Sequence, residues 1–257
     1  MCELLGISSS TKTRPARYFK TLRLRGQELP DGQGNPNGWG IALYPDGRAV
    51  QVIKEDIPAA SSKLSEFLST YEHLCSKIFV AHIRKASRGV VTCSNTHPFS
   101  REVGGRDYVF AHNGTIRNIK KFPLGRHKPV GSTDSEHLFC HLLNFIEQRD
   151  TGGWTEDHFS EFWKLLVSIN CSLTKGKSNK LNMLLSDDET LLAYADFFGN
   201  GTLCKLILRN SGEGSICVVA TNPVSGDESW ISIGHGALCA FRDGVQVFSS
   251  GKAGEVR

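Results

Sequence analysis

Long hydrophobic runs are absent from this 257-residue sequence. No segment approaches the ~20 consecutive apolar residues that a membrane-spanning helix needs. The net charge of +4 is scattered along the chain, and the sequence lacks the basic block that is typical of nucleic-acid-binding proteins. The first residues also lack a basic stretch followed by a long apolar one, which argues against a secretory signal. These absences predict a cytoplasmic protein that binds neither membranes nor nucleic acid.

Paired cysteine motifs and internal repeats are also lacking. None of the eight cysteines forms a C-x-x-C pair, and most lie in apolar segments such as ICVVA and FCHLL. In a reducing compartment such cysteines serve as small core residues, so no disulfide framework is predicted. Without a repeat, a low-complexity tract or an evident linker, residues 1–257 are predicted to form one domain.

Strand-like segments dominate both ends of the sequence. Apolar runs predict strands at CELLGIS, KIFVAHIR and DYVFAHNG, and six more from residue 182 onward. Asp46-Gly47 lies between two such runs and predicts a hairpin. Segments 26–40 and 85–106 are rich in turn-forming or polar residues and are predicted to be long loops.

Three helices are predicted in the middle of the chain. The first has five apolar residues on one face: Leu64, Phe67, Leu68, Tyr71 and Leu74. The second begins at Thr133, whose spacing to Glu136 fits a capping box, and the third begins near Thr155. Because strands and helices do not alternate regularly, the pattern indicates the α+β class.

Four polar groupings interrupt the apolar segments at strand ends or helix starts. They are Cys2, residues 82–89, residues 111–114 and residues 131–136. Side chains at such positions can meet in one cleft. If Met1 is removed, Cys2 carries both a thiol and a free α-amine. A thiolate is a nucleophile, and an α-amine with a pKa of about 7.7–8.0 suits a general base.

The other groupings supply groups that would recognise an amide and an amino-acid head. Asn113 and Gly114 can form an oxyanion hole from a side-chain amide and a backbone N–H, or they can form an ordinary hairpin turn. Arg84 can hold a carboxylate through two hydrogen bonds, or it is a surface arginine at a strand end. Asp134 can bind an ammonium group, and its negative charge in the first turn of a helix also interacts favourably with the helix dipole. Together these residues describe a site for glutamine.

An ordered set of short motifs over about the first 140 residues resembles the class II glutamine amidotransferases. In this family the nucleophile is a cysteine at the mature N-terminus. The set consists of Cys2 after Met1, Arg25-Gly26, Trp39-Gly40, His82-Ile83-Arg84 with Ser87 and Gly89, Asn95, residues 97–99, His112-Asn113-Gly114 and residues 133–136. The later segment ATNPVSGDESW is similar to stand-alone bacterial members.

The resemblance implies a fold and a set of roles. The fold would be a four-layer αββα sandwich, with two antiparallel sheets face to face. Cys2 would be the nucleophile, and Asn113 with Gly114 the oxyanion hole. Arg84 would bind the α-carboxylate of glutamine and Asp134 its α-ammonium group.

The resemblance also assigns residues around these groups. Arg25 and Gly26 would flank the amino end of the nucleophile. Ser87 would belong to a loop that closes over bound glutamine. Lys85, Ser87 and Arg88 differ from the residues usual in that loop.

The activity implied is hydrolysis of the glutamine side-chain amide through a γ-glutamyl thioester, with release of ammonia and without a cofactor. The family-like portion nearly fills the chain, so a separate synthetase would receive the ammonia, if any acceptor exists. Two alternatives stay open. One is a hydrolase of other γ-glutamyl amides or γ-glutamyl peptides, and the other is a non-catalytic glutamine-binding module.

His137 and His141 lie one helical turn apart with Cys140 between them, a spacing that could suit two ligands of a metal ion. A zinc site needs three or four converging ligands. The sequence offers no companions at ligand spacing, so no metal site is predicted.

Overall fold

The computed structural model describes residues 1–30, 32, 34–86, 89–149, 153–210, 214–226 and 229–251. Its helices are α1 Ala16–Leu24, α2 Lys63–Leu68, α3 Asp134–Glu147 and α4 Glu156–Cys171. Its strands are β1 Glu3–Thr13, β2 Trp39–Leu43, β3 Gln51–Glu55, β4 Ser76–Ile83, β5 Phe99–Val103, β6 Arg106–Thr115, β7 Lys180–Ser186, β8 Thr190–Tyr194, β9 Cys204–Asn210, β10 Gly214–Ala220, β11 Ile231–Ser232, β12 Leu238–Arg242 and β13 Val245–Ser249. None of the helices in the described ranges combines the length and apolarity required to cross a membrane.

The strands form two antiparallel sheets. The first has seven strands in the order β11-β9-β10-β1-β4-β2-β3, and the second has six in the order β13-β12-β8-β7-β6-β5. Strand β1 is central in the first sheet, where Leu5 is paired with Ala220 on one side and with Ala81 on the other. Strands from both ends of the chain therefore meet in one sheet.

Three layers of apolar side chains hold four layers of secondary structure together. One core lies between α1, α2 and the first sheet, a second lies between the two sheets, and a third lies between the second sheet and α3 with α4. Strand β1 shows the alternation that this requires: Leu5 and Ile7 pack toward α1, and Leu4 packs into the core between the sheets. The result is the predicted αββα sandwich.

Helix α2 differs from its prediction. The helix ends after Leu68, at Ser69, whose hydroxyl donates to the Glu66 carbonyl. The predicted apolar face does not form, because Leu64 and Phe67 lie on the exposed side of the helix and Tyr71 lies beyond its end. Phe67 and Tyr71 are 55% and 40% exposed and stack on each other, with ring centroids 5.0 Å apart.

Other predicted elements are confirmed, with two omissions. The hairpin of β2 and β3, strand β4, the six later strands and the starts of α3 and α4 all form as expected. Thr133 and Thr155 are the N-caps of α3 and α4. Helix α1 was not predicted, and segment 85–106 is not one loop, because it contains β5, which pairs with β6.

Candidate active site

Four of the predicted residues line one pocket of about 60 Å³. Cys2 directly precedes β1, Arg84 directly follows β4, Gly114 lies in β6 and Asp134 is the first residue of α3. Both sheets and helix α3 therefore each contribute residues to the pocket. Residues separated by up to 132 positions in the sequence meet at this point.

The thiol of Cys2 lies against the backbone of Lys85. Its Sγ accepts a hydrogen bond from the Lys85 N–H at 3.2 Å and is 3.4 Å from the Lys85 carbonyl oxygen. Burial raises the pKa of the Cys2 thiol. The Lys85 hydrogen bond, the positive N-terminus and the charge of Arg84 act in the opposite direction on that pKa and offset only part of the effect.

Asn113 and Gly114 lie inside β6, paired with Asn182 and Leu181 of β7, so the hairpin-turn interpretation is wrong. The Asn113 side-chain amide is buried and donates to the main-chain carbonyl of Cys2 at 2.7 Å. A Cβ atom at position 114 would lie 2.0 Å from the carbonyl oxygen of Lys180. Only glycine therefore fits at this position beside the pocket.

Arg84 and Asp134 place opposite charges in the lining of the same pocket. Arg84 is only 4% exposed, so it is not a surface arginine, and its Nη1 donates to the Val90 carbonyl at 3.3 Å. The Asp134 carboxylate accepts from the backbone N–H groups of Ile116 at 2.6 Å and Ser135 at 3.0 Å. This pair matches the two charges of an amino-acid head group.

The remaining predicted residues are placed differently. Arg25 does not line the pocket; it forms an ion pair with Glu3 at 3.0 Å and so anchors the residue after Cys2. Gly26 does not line the pocket either, and a Cβ atom there would lie 2.6 Å from the Cβ of Ala59. Ser87 lies outside the described residues.

Two histidines that had no assigned role also line the pocket, His97 and His112, and a third, His82, lies behind them. The rings of His82 and His97 have centroids 4.3 Å apart. Burial lowers the pKa of all three imidazoles, that of His82 to about 3. The sequence signal was present, because each histidine belongs to one of the quoted motifs.

The hydrogen bonds of these histidines differ. His112 Nε2 lies 3.0 Å from the Lys180 carbonyl oxygen, which can only accept, so Nε2 carries the proton and Nδ1 accepts from the Ser135 hydroxyl at 2.9 Å. Within the described part of the chain, neither ring nitrogen of His97 has a hydrogen-bond partner, and the ring of His82 lies against the backbone of His112. Neutral imidazoles thus form one wall of the pocket.

His137 and His141 have a structural role. Their rings lie 2.8 Å from the carbonyl oxygens of Phe122 and Pro123, respectively, and so hold that segment against α3. Across the described residues, no group of three or more His, Cys, Asp or Glu side chains is arranged to hold a metal ion.

The chain is similar in sequence and in fold to known proteins. The sequence profile for class II glutamine amidotransferases matches residues 1–211. The protein YafJ of Escherichia coli K12, named provisionally as a glutamine amidotransferase, is 34% identical over 96% of this chain and all of its own length. A crystal structure from Pseudomonas aeruginosa PA01, titled a predicted glutamine amidotransferase, superposes with a TM-score of 0.71 at 26% identity, covering 96% of this chain and all of that one.

A more distant structure shares the fold. The allosteric regulatory enzyme of purine biosynthesis superposes with a TM-score of 0.69 at 18% identity. It covers 97% of this chain, which corresponds to 48% of that enzyme.

Proposed function

The chain belongs to the class II glutamine amidotransferases, and on that basis we propose that it cleaves the side-chain amide of glutamine with Cys2 as the nucleophile. One observation carries the proposal: Cys2, Arg84 and Asp134 line the same pocket. A zwitterionic head group held by the two charged side chains directs the glutamine amide toward the thiol.

Each group has a definite role in the proposed site. Arg84 binds the α-carboxylate through its guanidinium, and Asp134 binds the α-ammonium group. The Asn113 amide, through the N–H that it does not donate to the Cys2 carbonyl, and the Gly114 backbone N–H stabilise the oxyanion of the tetrahedral intermediate. A donor of this kind contributes about 2.7–4 kcal/mol to transition-state stabilisation.

Before any turnover, Met1 is removed; it is 68% exposed and so accessible to an aminopeptidase. The freed α-amine of Cys2 takes the thiol proton, and sulfur attacks the amide carbon. The C–N bond then breaks, and nitrogen leaves as ammonia with the transferred proton. Water hydrolyses the γ-glutamyl thioester, giving glutamate and restoring the thiol.

The whole chain takes part in the proposed enzyme. We expect residues 1–257 to act as one glutaminase domain, since β12 and β13, beyond the family match, belong to the second sheet. A separate synthetase would receive the ammonia. The eight cysteines are free thiols, which is consistent with the cytoplasm.

Replacement of the nucleophile tests the proposal. In Cys2→Ala, glutamate production from glutamine is expected to fall by about a thousandfold or more, because covalent catalysis is lost. Cys75→Ala is the matched control: Cys75 is also partly exposed but does not line the pocket, and its activity should stay within about twofold.

Two further measurements complete the test. Intact mass spectrometry of the active protein should show loss of Met1, and glutamine should give the highest kcat/KM among a panel of γ-glutamyl amides. Wild-type turnover in Cys2→Ala, or full activity in protein that keeps Met1, would contradict the mechanism.

A further inference from the structure

A second, larger pocket adjoins the pocket around Cys2, which we call the cleavage pocket. Thr133 and Asp134 line both pockets. The volume of the second pocket is about 660 Å³, within the range of small-molecule binding sites. The rest of its wall comes mainly from residues 116–120, after β6, and from the turn that precedes β7. We call it the basic pocket because of four lining residues: Arg117, Lys120, Lys175 and Lys177.

Positive charge dominates this pocket. Among the described residues of its lining, Asp134 is the single carboxylate, and both of its oxygens accept backbone N–H bonds. Within the described residues, none of the four cationic side chains lies within 4.0 Å of a carboxylate oxygen. Like charges gathered around a concave surface create a positive potential that attracts anions.

A tight turn holds two of the lysines on the rim. Lys175 and Gly176 both have positive φ, +51° and +71°, which is the pattern of a type I′ turn. The backbone hydrogen bonds between Thr174 and Lys177 are 2.9 and 3.1 Å long and close this turn. The positions of the two lysine backbones are therefore fixed by local geometry.

The third cation is tied to the same segment. Arg117 donates from Nε to the Ser178 carbonyl at 3.1 Å, and its backbone N–H donates to Asn179 Oδ1 at 2.7 Å. Arg117 and the turn that carries Lys175 and Lys177 are therefore held together as one wall of the pocket.

We propose that the basic pocket binds a small, multiply charged anion, a phosphate ester or a polycarboxylate, next to the glutamine head group. Lysine and arginine side chains are the usual ligands of phosphate and carboxylate groups. The volume admits a molecule of about the size of a nucleotide or a sugar phosphate. This binding goes beyond amide cleavage and does not depend on it.

Pyrophosphate, used as the probe with the full chain, tests the proposal by isothermal titration calorimetry. The double variant Lys175→Ala/Lys177→Ala should weaken binding by about tenfold or more, because two point charges are removed from the rim. The control Lys20→Ala/Lys164→Ala removes the same net charge from exposed lysines outside the pocket and should leave binding within about twofold.

The outcomes are distinct. Absence of pyrophosphate binding at millimolar concentration, or equal weakening in both double variants, would overturn the proposal. Phosphate esters that bind can then be incubated with glutamine: an aminated product identifies an ammonia acceptor, and a changed KM alone identifies an effector. Calorimetry measures binding and does not require turnover. Pyrophosphate binding can therefore be measured even if the protein does not cleave glutamine.

Discussion

At Cys2, opposing influences set the state of the thiol. Burial raises its pKa more than the Lys85 hydrogen bond and the nearby positive charges lower it, so the sulfur carries a proton at neutral pH. Nucleophilic attack then depends on a base. In the proposed enzyme that base appears only when Met1 is removed, since the nitrogen of Cys2 is an amide until then. Processing and catalysis are thus coupled within one residue.

Gly114 gives a prediction at the same scale. In Gly114→Ala, the added methyl group would meet the Lys180 carbonyl oxygen at 2.0 Å and the His112 ring at 2.5 Å. We expect the free energy of unfolding to fall by about 1–3 kcal/mol, as is typical of overpacking, together with a loss of glutaminase activity. Urea unfolding and an activity assay measure the two effects.

Gly234→Ala is the control for this change. A Cβ atom at position 234 would have its nearest neighbour, the Cβ of Ala237, at 4.0 Å, an ordinary contact. Its stability should change by no more than about 0.5 kcal/mol. Equal stability of Gly114→Ala and the wild type would contradict the close approach of β6 and β7 at this point.

At the scale of elements, the first turn of α3 joins folding to the site. The Thr133 hydroxyl accepts from the Glu136 backbone N–H, which caps the helix and sets the position of Asp134. The Glu136 carboxylate does not complete a capping box; it accepts from the backbone N–H groups of Val130 and Gly131. The segment before the helix and the helix start are therefore held as one unit.

Two N-caps of the same type allow a matched comparison. Thr133→Ala and Thr155→Ala should each lower the free energy of unfolding by about 1 kcal/mol, because each removes the cap of one helix. Only Thr133 lines the cleavage pocket, so only its variant should raise KM for glutamine. Denaturant titrations and steady-state kinetics give the two readouts, and an equal KM for both variants would count against the role of Asp134.

At the scale of the whole molecule, the sandwich buries three histidines from separate parts of the chain. His82 lies in β4, His97 in the segment before β5 and His112 in β6. All three are 5% exposed or less, and their imidazoles are neutral because burial disfavours the charged form. The folded state therefore takes up fewer protons than the unfolded chain in mildly acidic solution.

This burial predicts acid sensitivity. The pKa of His82 falls from about 6.5 to about 3 on folding, so below pH ~6.5 the unfolded chain binds a proton that the folded one does not. The stability that these neutral histidines contribute should be fully present above that pH and should be lost as the pH falls toward 4. Each histidine contributes up to about 1.4 kcal/mol per pH unit.

Calorimetric Tm values between pH 4 and 8 check this expectation. His82→Gln should show a shallower decrease of Tm with acid than the wild type, since one buried titrating group is gone. His73→Gln is the control, because His73 is exposed and its loss should leave the slope unchanged. Identical slopes in all three proteins would contradict the assignment.

Local features could be predicted from the sequence because they depend on neighbouring residues. Runs of apolar residues indicated β4, β6 and the later strands, and the Thr133 and Thr155 caps marked the starts of two helices. The apolar face predicted for α2 is wrong, because apolar spacing alone shows neither where a helix ends nor which of its sides the fold buries. Helix α1 and strand β5 were missed although both contain buried apolar residues.

The ordered motifs by themselves determined the family and singled out Cys2 as the proposed nucleophile, since residue type and spacing are properties of the chain. Only the tertiary structure decided that Arg84 and Asp134 share a pocket with Cys2, that Arg25 instead anchors Glu3, and that four cations surround a second pocket. The physical reason is strand pairing. Contacts between residues more than a hundred positions apart arise only when β1, β4 and β6 take their places in two packed sheets.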